Sequence, residues 1–402
     1  MEESKEKSRD KGQGTSDLSD GLMREWKRRY EASFLTCMNS DAGSCHALFM
    51  EPEFTMEMAA RFVGWYETCY PERGKAFDWF FRKTDPQLSE PMGKLRCMTY
   101  MLDEAIVLRM TEAMKLPGGI YMEMSPDKNP RRGGASAYFG RDFFRRPRIR
   151  YYEIEAKGRL SPPYKTFFHE FGHGLDDMGK RGRGFYSDRF SFTQEAGQNR
   201  LRYDEEKGRL VMDSPCAMYS KTIHQWMAFD VENHIIRMAY ERISEGGGGH
   251  SRQRYLSPGI GPKVQLELVE YVTYQLFLQP DGRGMDALRG HRYEAEIRDL
   301  YQDIQEITNQ EILKNAFGMI VLPKDLFGGI TNNQLGGGHS GDYWFGKFGR
   351  KREVSREAFA GYFEYRTTVP DDGMKEQVIN PHHCIHYTVK ALEEMLVQLL
   401  KM

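Results

Sequence analysis

Two histidines four residues apart, in the stretch His169-Glu-Phe-Gly-His173, constrain this chain more than any other feature of its sequence. On an α-helix, residues four apart lie on the same face, so the two imidazoles point at one spot and outline a zinc site. Glu170 projects from a neighbouring part of that face, where it could accept a proton from a metal-bound water. The five residues therefore predict two metal ligands and one general base on a single helix.

The residues around this motif predict that its helix is buried. Gly174 removes a side chain next to His173, which would let another backbone or a substrate approach. Asp176 and Asp177 follow, and two interpretations of them stay open: acceptors for a histidine N–H, or solvated polar residues. Large side chains occupy most of the remaining circumference of the helix: Tyr164, Phe167, Phe168, Phe171 and Leu175.

A catalytic zinc site needs a third protein ligand and an open fourth position. The segment directly after the motif, residues 178–184, contains no histidine, so the third ligand has to come from elsewhere. Glu357 is the best candidate, because it stands among alanine and phenylalanine residues, where a lone carboxylate is desolvated and a nearby cation would stabilise it. The alternative places Glu357 on the exposed side of an amphipathic helix, paired with Arg356 or Arg352.

With these two segments together, the chain resembles the gluzincin metallopeptidases, and in particular their lethal-factor-like group. The resemblance rests on His-Glu-Phe-Gly-His-Gly-Leu-Asp-Asp over residues 169–177 and on Glu-Ala-Phe-Ala-Gly-Tyr-Phe over residues 357–363. It implies Glu357 as the third ligand and a zincin fold, in which a mixed sheet with an edge strand aligns the substrate above the motif helix. Strand-like segments at 133–139 and 148–154 stand upstream, where such a sheet is expected.

One position departs from the gluzincin pattern. These families often carry a polar or acidic residue one turn after the ligand glutamate, and in this chain that position is Gly361. Glu364 could take over this role of orienting the histidines. The support of the two histidine ligands therefore depends on where Glu364 lies.

The glycine-rich loop before Glu357 contains two residues that could complete the chemistry. His339 and Tyr343 belong to Gly-Gly-Gly-His-Ser-Gly-Asp-Tyr-Trp over residues 336–344. Related gluzincins use a tyrosine or histidine as donor to the oxyanion of a tetrahedral intermediate, so the resemblance implies Tyr343 first and His339 second for this role. The alternative is a surface loop whose aromatic residues pack.

A second and narrower resemblance covers residues 325–365. This segment, which contains Glu357, is similar to the C-terminal part of some phage-encoded head-morphogenesis or minor capsid proteins that carry the same histidine motif. The resemblance implies another role, that of an assembly protein whose metal site is structural or acts only on a capsid partner. It also implies an association with the virion.

Another histidine pair has the spacing of metal ligands, in Pro381-His-His-Cys-Ile-His386. His382 and His386 stand four apart with Cys384 near them, but no glutamate adjoins the first histidine. Two interpretations stay open: a structural or adventitious metal site, and a helix start with solvent-facing imidazoles.

Composition and charge limit the class of protein. Hydrophobic residues make up 40% of the 402 residues, enough for a sizeable core, and the net charge of -1 gives no argument for nucleic-acid binding. The sequence shows no signal pattern at its start and no apolar run long enough to cross a bilayer. The six cysteines lack paired spacing, which favours reduced thiols. We therefore expect a cytoplasmic protein with Zn²⁺ as cofactor, a peptide or protein substrate, and neither a membrane nor a nucleic-acid partner.

The periodicity of apolar residues predicts an α+β fold that is mostly helical. Residues 1–20 are charged and almost devoid of apolar side chains, which is typical of a disordered tail. Residues 21–117 predict an N-terminal helical lobe, and residues 118–185 a zincin-like core with a small mixed sheet and the motif helix. Residues 186–322 predict a large helical insertion, and residues 323–402 the last part of the catalytic domain with the third ligand.

Overall fold

Two compact units make up the protein, one from residues within 1–178, 363–372 and 402, the other from residues within 179–362 and 373–401. The predicted tail over residues 1–20 lies outside the described part of the chain. A computed structural model describes residues 56–100, 102–115, 118–125, 137–152, 165–179, 184–244, 260–278, 288, 290–314, 321–337, 344, 354–368 and 384–402.

The described part of residues 56–115 is helical, as the sequence predicts. Its helices are α1 Met56–Cys69, α2 Pro71–Phe81, α3 Ser89–Tyr100 and α4 Glu104–Lys115. Proline at the first position of α2 lacks only an N–H that would have no partner within the helix. Glu104 and Lys115 place opposite charges at the two ends of α4, where they complement the helix dipole.

A three-stranded mixed sheet follows these helices, and it confirms the small mixed sheet that the sequence predicts. Its strands are β1 Tyr121–Ser125, β2 Ala137–Arg141 and β3 Pro147–Tyr152, in the order β1-β3-β2. β1 runs parallel to β3, and β2 runs antiparallel to it. β2 is therefore an edge strand among the described strands. The first residues of the predicted segment 133–139 lie outside the described part of the chain.

The motif helix, α5 Lys165–Met178, packs against this sheet and α4, and aromatic rings join it to α2. A Cβ atom at Gly174 would lie 2.7 Å from Cδ1 of Ile120. The lack of a side chain at Gly174 therefore makes room for Ile120, next to the sheet. The Phe80 ring of α2 lies 6.0 Å from that of Phe167 and 5.9 Å from that of Phe171. These aromatic contacts join α2 to α5, and the helical lobe, the sheet and α5 lie in one compact unit.

The predicted helical insertion needs a correction, because four strands precede its first helix. β4 Ser191–Gly197 pairs with β7 Cys216–Thr222, and β5 Arg200–Asp204 pairs with β6 Arg209–Asp213, both antiparallel. The signals were apolar residues at every second position in β5, a short apolar run in β6 and a turn that ends at Gly208, whose φ of 62° suits glycine. Period-two alternation in short strands is weaker than the pattern of the long helices that follow.

The described remainder of the insertion is mostly helical, as the sequence predicts. Its helices are α6 Ile223–Ser244, α7 Pro262–Glu270, which continues as a π-helical segment Tyr271–Phe277, and α8 Glu294–Lys314. α9 Val321–Thr331, α10 Val354–Thr368 and α11 His386–Leu400 complete the chain. None of the helices in the described residues is long and apolar enough to cross a bilayer.

Close packing fixes the start of α10. A Cβ atom at Gly329 of α9 would lie 2.5 Å from Cγ1 of Val354, the first residue of α10, and 3.2 Å from the Trp344 ring. The indole N–H of Trp344 donates to Oδ1 of Asn333 at 2.9 Å. Because interiors are packed without spare volume, these contacts determine where α10 begins.

Asp230 of α6 caps the start of α11 from outside that helix. Its carboxylate accepts hydrogen bonds from the backbone N–H of Tyr387 at 3.3 Å and of Thr388 at 2.7 Å, and from the Thr388 hydroxyl at 2.6 Å. The first N–H groups of a helix have no partner within it, so a carboxylate satisfies them and complements the helix dipole. Burial nevertheless raises the pKa of Asp230 to about 7, against the lowering effect of these hydrogen bonds.

We expect the stability of the protein to depend on pH through Asp230. The unfolded carboxyl ionises near 3.8 and the folded one near 7, so the contribution of protonated Asp230 is complete below about pH 3.8 and is lost as the pH rises through about 7. In Asp230→Asn, which stays neutral, this loss of up to about 4 kcal/mol should disappear. Urea unfolding at about pH 5 and about pH 8 measures it. An equal free-energy difference between variant and wild type at both pH values would contradict the assignment.

Candidate metal centre

His169 and His173 both lie on α5 and face the same region. Their ring centroids are 5.0 Å apart with an angle of 85° between the ring planes, and both side chains are half-buried. The rest of the helix surface is buried, with Phe167, Phe168 and Phe171 inaccessible to solvent. The helix therefore presents the two imidazoles on its open side, as the sequence predicts for this face.

Glu357 is brought to the two histidines by α10. One nitrogen of each imidazole and one oxygen of Glu357 lie within 4.8 Å of one another. The Glu357 side chain is buried, with 4% of its surface exposed, so the interpretation of an exposed helix position is wrong. The neighbouring Arg356 pairs with Asp188 at 2.7 Å. Within the described residues, these three form the one group of three or more histidine, cysteine and acidic side chains that could hold a metal ion.

Glu364, two turns after Glu357 on the same helix, contacts one of the histidines. Its Oε2 lies 3.2 Å from Nδ1 of His169. Next to it, the Phe363 ring stacks on Phe171 with centroids 6.5 Å apart. This contact helps to fix the position of α10 along the axis of α5. A carboxylate at Nδ1 favours the tautomer of His169 in which Nε2 can bind a metal.

Gly361 faces away from the histidines. A Cβ atom at this position would meet Leu322 of α9 at 3.4 Å, which is ordinary van der Waals distance. The position at which gluzincins often carry a polar support is therefore turned toward α9, and Glu364, one turn later, contacts His169 instead. Although Gly361 departs from the gluzincin pattern, His169 still has a carboxylate neighbour, Glu364.

Glu170 is held by the edge strand of the sheet. Its Oε2 accepts a short hydrogen bond from the backbone N–H of Phe139 in β2, and the side chain is 9% exposed. The Phe139 ring also stacks near His173, with centroids 6.4 Å apart. A backbone donor on a rigid strand fixes the carboxylate on the side of the helix that carries the histidines.

Asp176 and Asp177 are both buried, so their interpretation as solvated residues is wrong. Asp177 forms an ion pair with Arg141 of β2 at 2.5 Å. Together with the bond from Phe139 to Glu170, this pair ties the edge strand to α5 at two points about two turns apart on the helix. No feature of the sequence distinguishes Arg141, because arginines are frequent throughout this segment.

Three residues of the sequence-based predictions lie outside the described part of the chain: Tyr343, His339 and His382. Their roles stay predictions. Of the second histidine pair, His386 is the first residue of α11 and is 6% exposed, so a solvent-facing imidazole is wrong for this residue. Cys384 near it is buried as well, and burial raises the pKa of its thiol above the usual range.

The donor set fits zinc. Two histidines and one glutamate are a frequent ligand set of catalytic zinc, with Zn–N distances of about 2.0–2.1 Å and Zn–O distances of about 2.0–2.2 Å. Atoms that share a tetrahedral zinc are then about 3.4 Å apart. Donor atoms within 4.8 Å of one another therefore need only small side-chain movements to reach one ion.

Removing the Glu364 carboxylate should weaken zinc binding without removing a ligand. We expect Glu364→Ala to lower zinc affinity by about 10–100-fold, because an acceptor on the far nitrogen of a histidine fixes its tautomer and orientation. Glu364→Gln keeps an acceptor oxygen and should retain more of the affinity. Competition with a coloured chelator measures both. Equal affinities of Glu364→Ala and wild type would show that this contact does not support the ligand.

The candidate centre thus combines two imidazoles, the buried Glu357 carboxylate, Glu170 on the motif helix and the Glu364 carboxylate next to His169. Its function has to be inferred from this chemistry. No family model, curated protein or solved structure matches the chain.

Proposed function

We propose that this protein is a zinc-dependent metallopeptidase of gluzincin type, in which His169, His173 and Glu357 hold the ion. The observation that carries the proposal is the convergence of these three donor groups from two helices that are far apart in the sequence. The burial of Glu357 also supports it, since low-dielectric surroundings strengthen the attraction between a carboxylate and a metal cation. When bound, zinc would polarise the peptide carbonyl and make a water nucleophilic near neutral pH.

Glu170 is proposed as the general base. It accepts the proton of the attacking water, and it can later deliver that proton to the leaving amine. The backbone N–H of Phe139 donates to Oε2 of this carboxylate. The same bond holds the carboxylate in one orientation before substrate arrives, which lowers the reorganisation that the reaction requires.

The edge strand β2 is proposed to align the substrate, as the resemblance to gluzincins implies. Among the described strands, β2 pairs on one side only, with β3, and it lies against the motif helix. An extended peptide can add to such an edge through backbone hydrogen bonds, so selection depends on side chains next to the cleaved bond. Tyr343, and after it His339, stay the proposed donors to the oxyanion.

A cytoplasmic setting is part of the proposal. The cysteines in the described residues are free thiols, and two of them, Cys97 and Cys384, are buried. Free thiols are typical of reducing compartments. Burial raises the pKa of Cys97 to about 12, which keeps this thiol protonated and unreactive.

Zinc analysis together with a peptide-cleavage assay tests the proposal. Purified full-length protein should contain about one zinc per chain and cleave members of a quenched peptide library. A chelator should stop cleavage, and added zinc should restore it. Zinc without cleavage of any peptide would favour a structural metal site, as in the resemblance to phage assembly proteins. Cleavage that persists without metal would exclude the proposed mechanism.

A further inference from the structure

The hairpin that joins β2 to β3 carries the two most exposed large apolar side chains of the described residues. Phe143 is 94% exposed and Phe144 is 73% exposed. Their rings contact each other edge to face, with centroids 5.4 Å apart. Two adjacent exposed phenylalanines are unusual at a surface that only meets water, because burying either ring elsewhere would be favourable.

The tip of this hairpin is held in one conformation by hydrogen bonds. The backbone N–H of Arg145 donates to the Asp142 carbonyl at 2.9 Å, and the N–H of Asp142 donates to the Arg146 carbonyl at 2.9 Å. The Asp142 side chain accepts from the Arg146 N–H at 2.8 Å and from the Tyr121 hydroxyl at 3.0 Å. The two phenylalanines are therefore displayed by a rigid loop.

Arg145 occupies a backbone conformation that usually belongs to glycine. Its φ is 59°, and the last position of a three-residue hairpin loop commonly takes a left-handed residue. Arginine here is conformationally unfavourable, and its side chain is exposed beside the phenylalanines. The loop therefore places a cation at its tip where glycine would fold more easily.

Further cations surround the base of the tip. The Tyr121 ring lies 4.6 Å from the Arg82 guanidinium, 4.7 Å from the Lys83 ammonium and 5.5 Å from the Arg146 guanidinium. Partial burial, and next to it the charge of Arg146, lowers the pKa of Arg82. Asp142 is the carboxylate that pairs with Arg146. With Arg145, the patch keeps an excess of positive charge.

We propose that this hairpin docks the protein on a membrane surface rich in anionic phospholipid, with Phe143 and Phe144 entering the headgroup region and the cations meeting lipid phosphates. A protruding tip favours a bilayer over a protein partner, since a partner would need a pocket shaped for two rings. Docking of this kind needs no helix that crosses the bilayer. The predicted absence of a membrane partner rests only on the lack of a segment that could cross a bilayer. Docking at the membrane surface is independent of the proposed peptidase activity.

Vesicle co-sedimentation of the full-length protein tests this inference. The wild type should sediment with vesicles that contain about 30% phosphatidylserine and much less with phosphatidylcholine alone, and salt should weaken binding. Phe143→Ser/Phe144→Ser should reduce the partition coefficient at least about tenfold, and Arg145→Glu at least about fivefold. The matched controls are Met218→Ser, an exposed apolar residue, and Lys263→Glu, an exposed cation; both should bind like the wild type.

Circular dichroism melts guard against misfolding, since all five positions are exposed and their substitution should leave the melting temperature unchanged. Absence of wild-type binding to the anionic vesicles at low salt would overturn the inference. So would a double phenylalanine variant that melts and binds like the wild type, because binding would then depend on another surface.

Discussion

The Glu170→Gln protein is expected to hold zinc like the wild type and to hydrolyse peptides about 10²–10⁴-fold more slowly. Glutamine has nearly the shape of glutamate and can still accept the hydrogen bond from the Phe139 N–H, so the edge strand and α5 should keep their positions. It cannot accept a proton from water at neutral pH. The variant therefore separates the base from the metal ligands. Initial rates on a quenched peptide and zinc content by elemental analysis are the measurements.

Glu112→Gln provides the control for Glu170→Gln. Glu112 belongs to α4 of the same compact unit, and half of its side chain is exposed. The same chemical change at this position should leave both rate and zinc content at wild-type values. Full peptidase activity in Glu170→Gln would remove Glu170 from the mechanism, whereas a loss of zinc would show that the substitution disturbs the site.

Glu357→Ala is expected to lower zinc affinity by more than the roughly 10–100-fold that is typical for loss of a supporting residue, because it removes a ligand. Peptide hydrolysis should fall with the zinc content. The measurements are zinc per chain after dialysis and affinity by chelator competition. A wild-type zinc content would exclude Glu357 as a ligand. The third ligand would then be a carboxylate after the motif or a residue of the segment 382–386.

Glu393→Ala provides the matched control for Glu357→Ala. Glu393 of α11 accepts a short hydrogen bond from the Tyr362 hydroxyl of α10, so its removal loosens the helix that carries Glu357 without deleting a donor atom. If Glu357 acts as a ligand, Glu393→Ala should retain most of its zinc, even if it destabilises the protein as much as Glu357→Ala does. Equal zinc loss in both variants would indicate that α10 packing, and not the carboxylate, decides occupancy.

The sequence predicts the motif side of the site well because helical spacing relates its residues directly. His169 and His173 share a face of α5 by their separation of four, and the apolar residues around them account for its burial. Glu357 could be predicted only through its apolar neighbours and the resemblance to gluzincins. No periodicity relates positions so distant along the chain, since their meeting depends on how the helices pack.

The sequence does not predict which residues of different helices and strands contact each other. The bond from the Phe139 N–H to Glu170 depends on the register of β2, and a shift by one residue would turn another group toward the helix. Likewise, the contact of Glu364 with His169 follows from the stacking of Phe363 on Phe171. Packing determines such pairs, and the sequence shows which residues are present but not how they are arranged in space.

Phe143 and Phe144 show another limit of sequence reasoning. Phenylalanine is most often buried, so an aromatic pair in a strand-rich segment favours a core position. The left-handed conformation of Arg145 and the capping by Asp142 instead place the pair at the tip of a turn. Turn geometry thus decides the exposure of these rings against their ordinary preference.

The most direct test of the central claim is an anomalous difference map, measured at the zinc absorption edge on crystals of the wild-type protein grown with zinc. We predict one strong peak within bonding distance, about 2.0–2.2 Å, of a nitrogen of His169, a nitrogen of His173 and an oxygen of Glu357. A map without density between these three side chains, or with its only peak at His386 and its neighbours, would contradict the proposed metal centre.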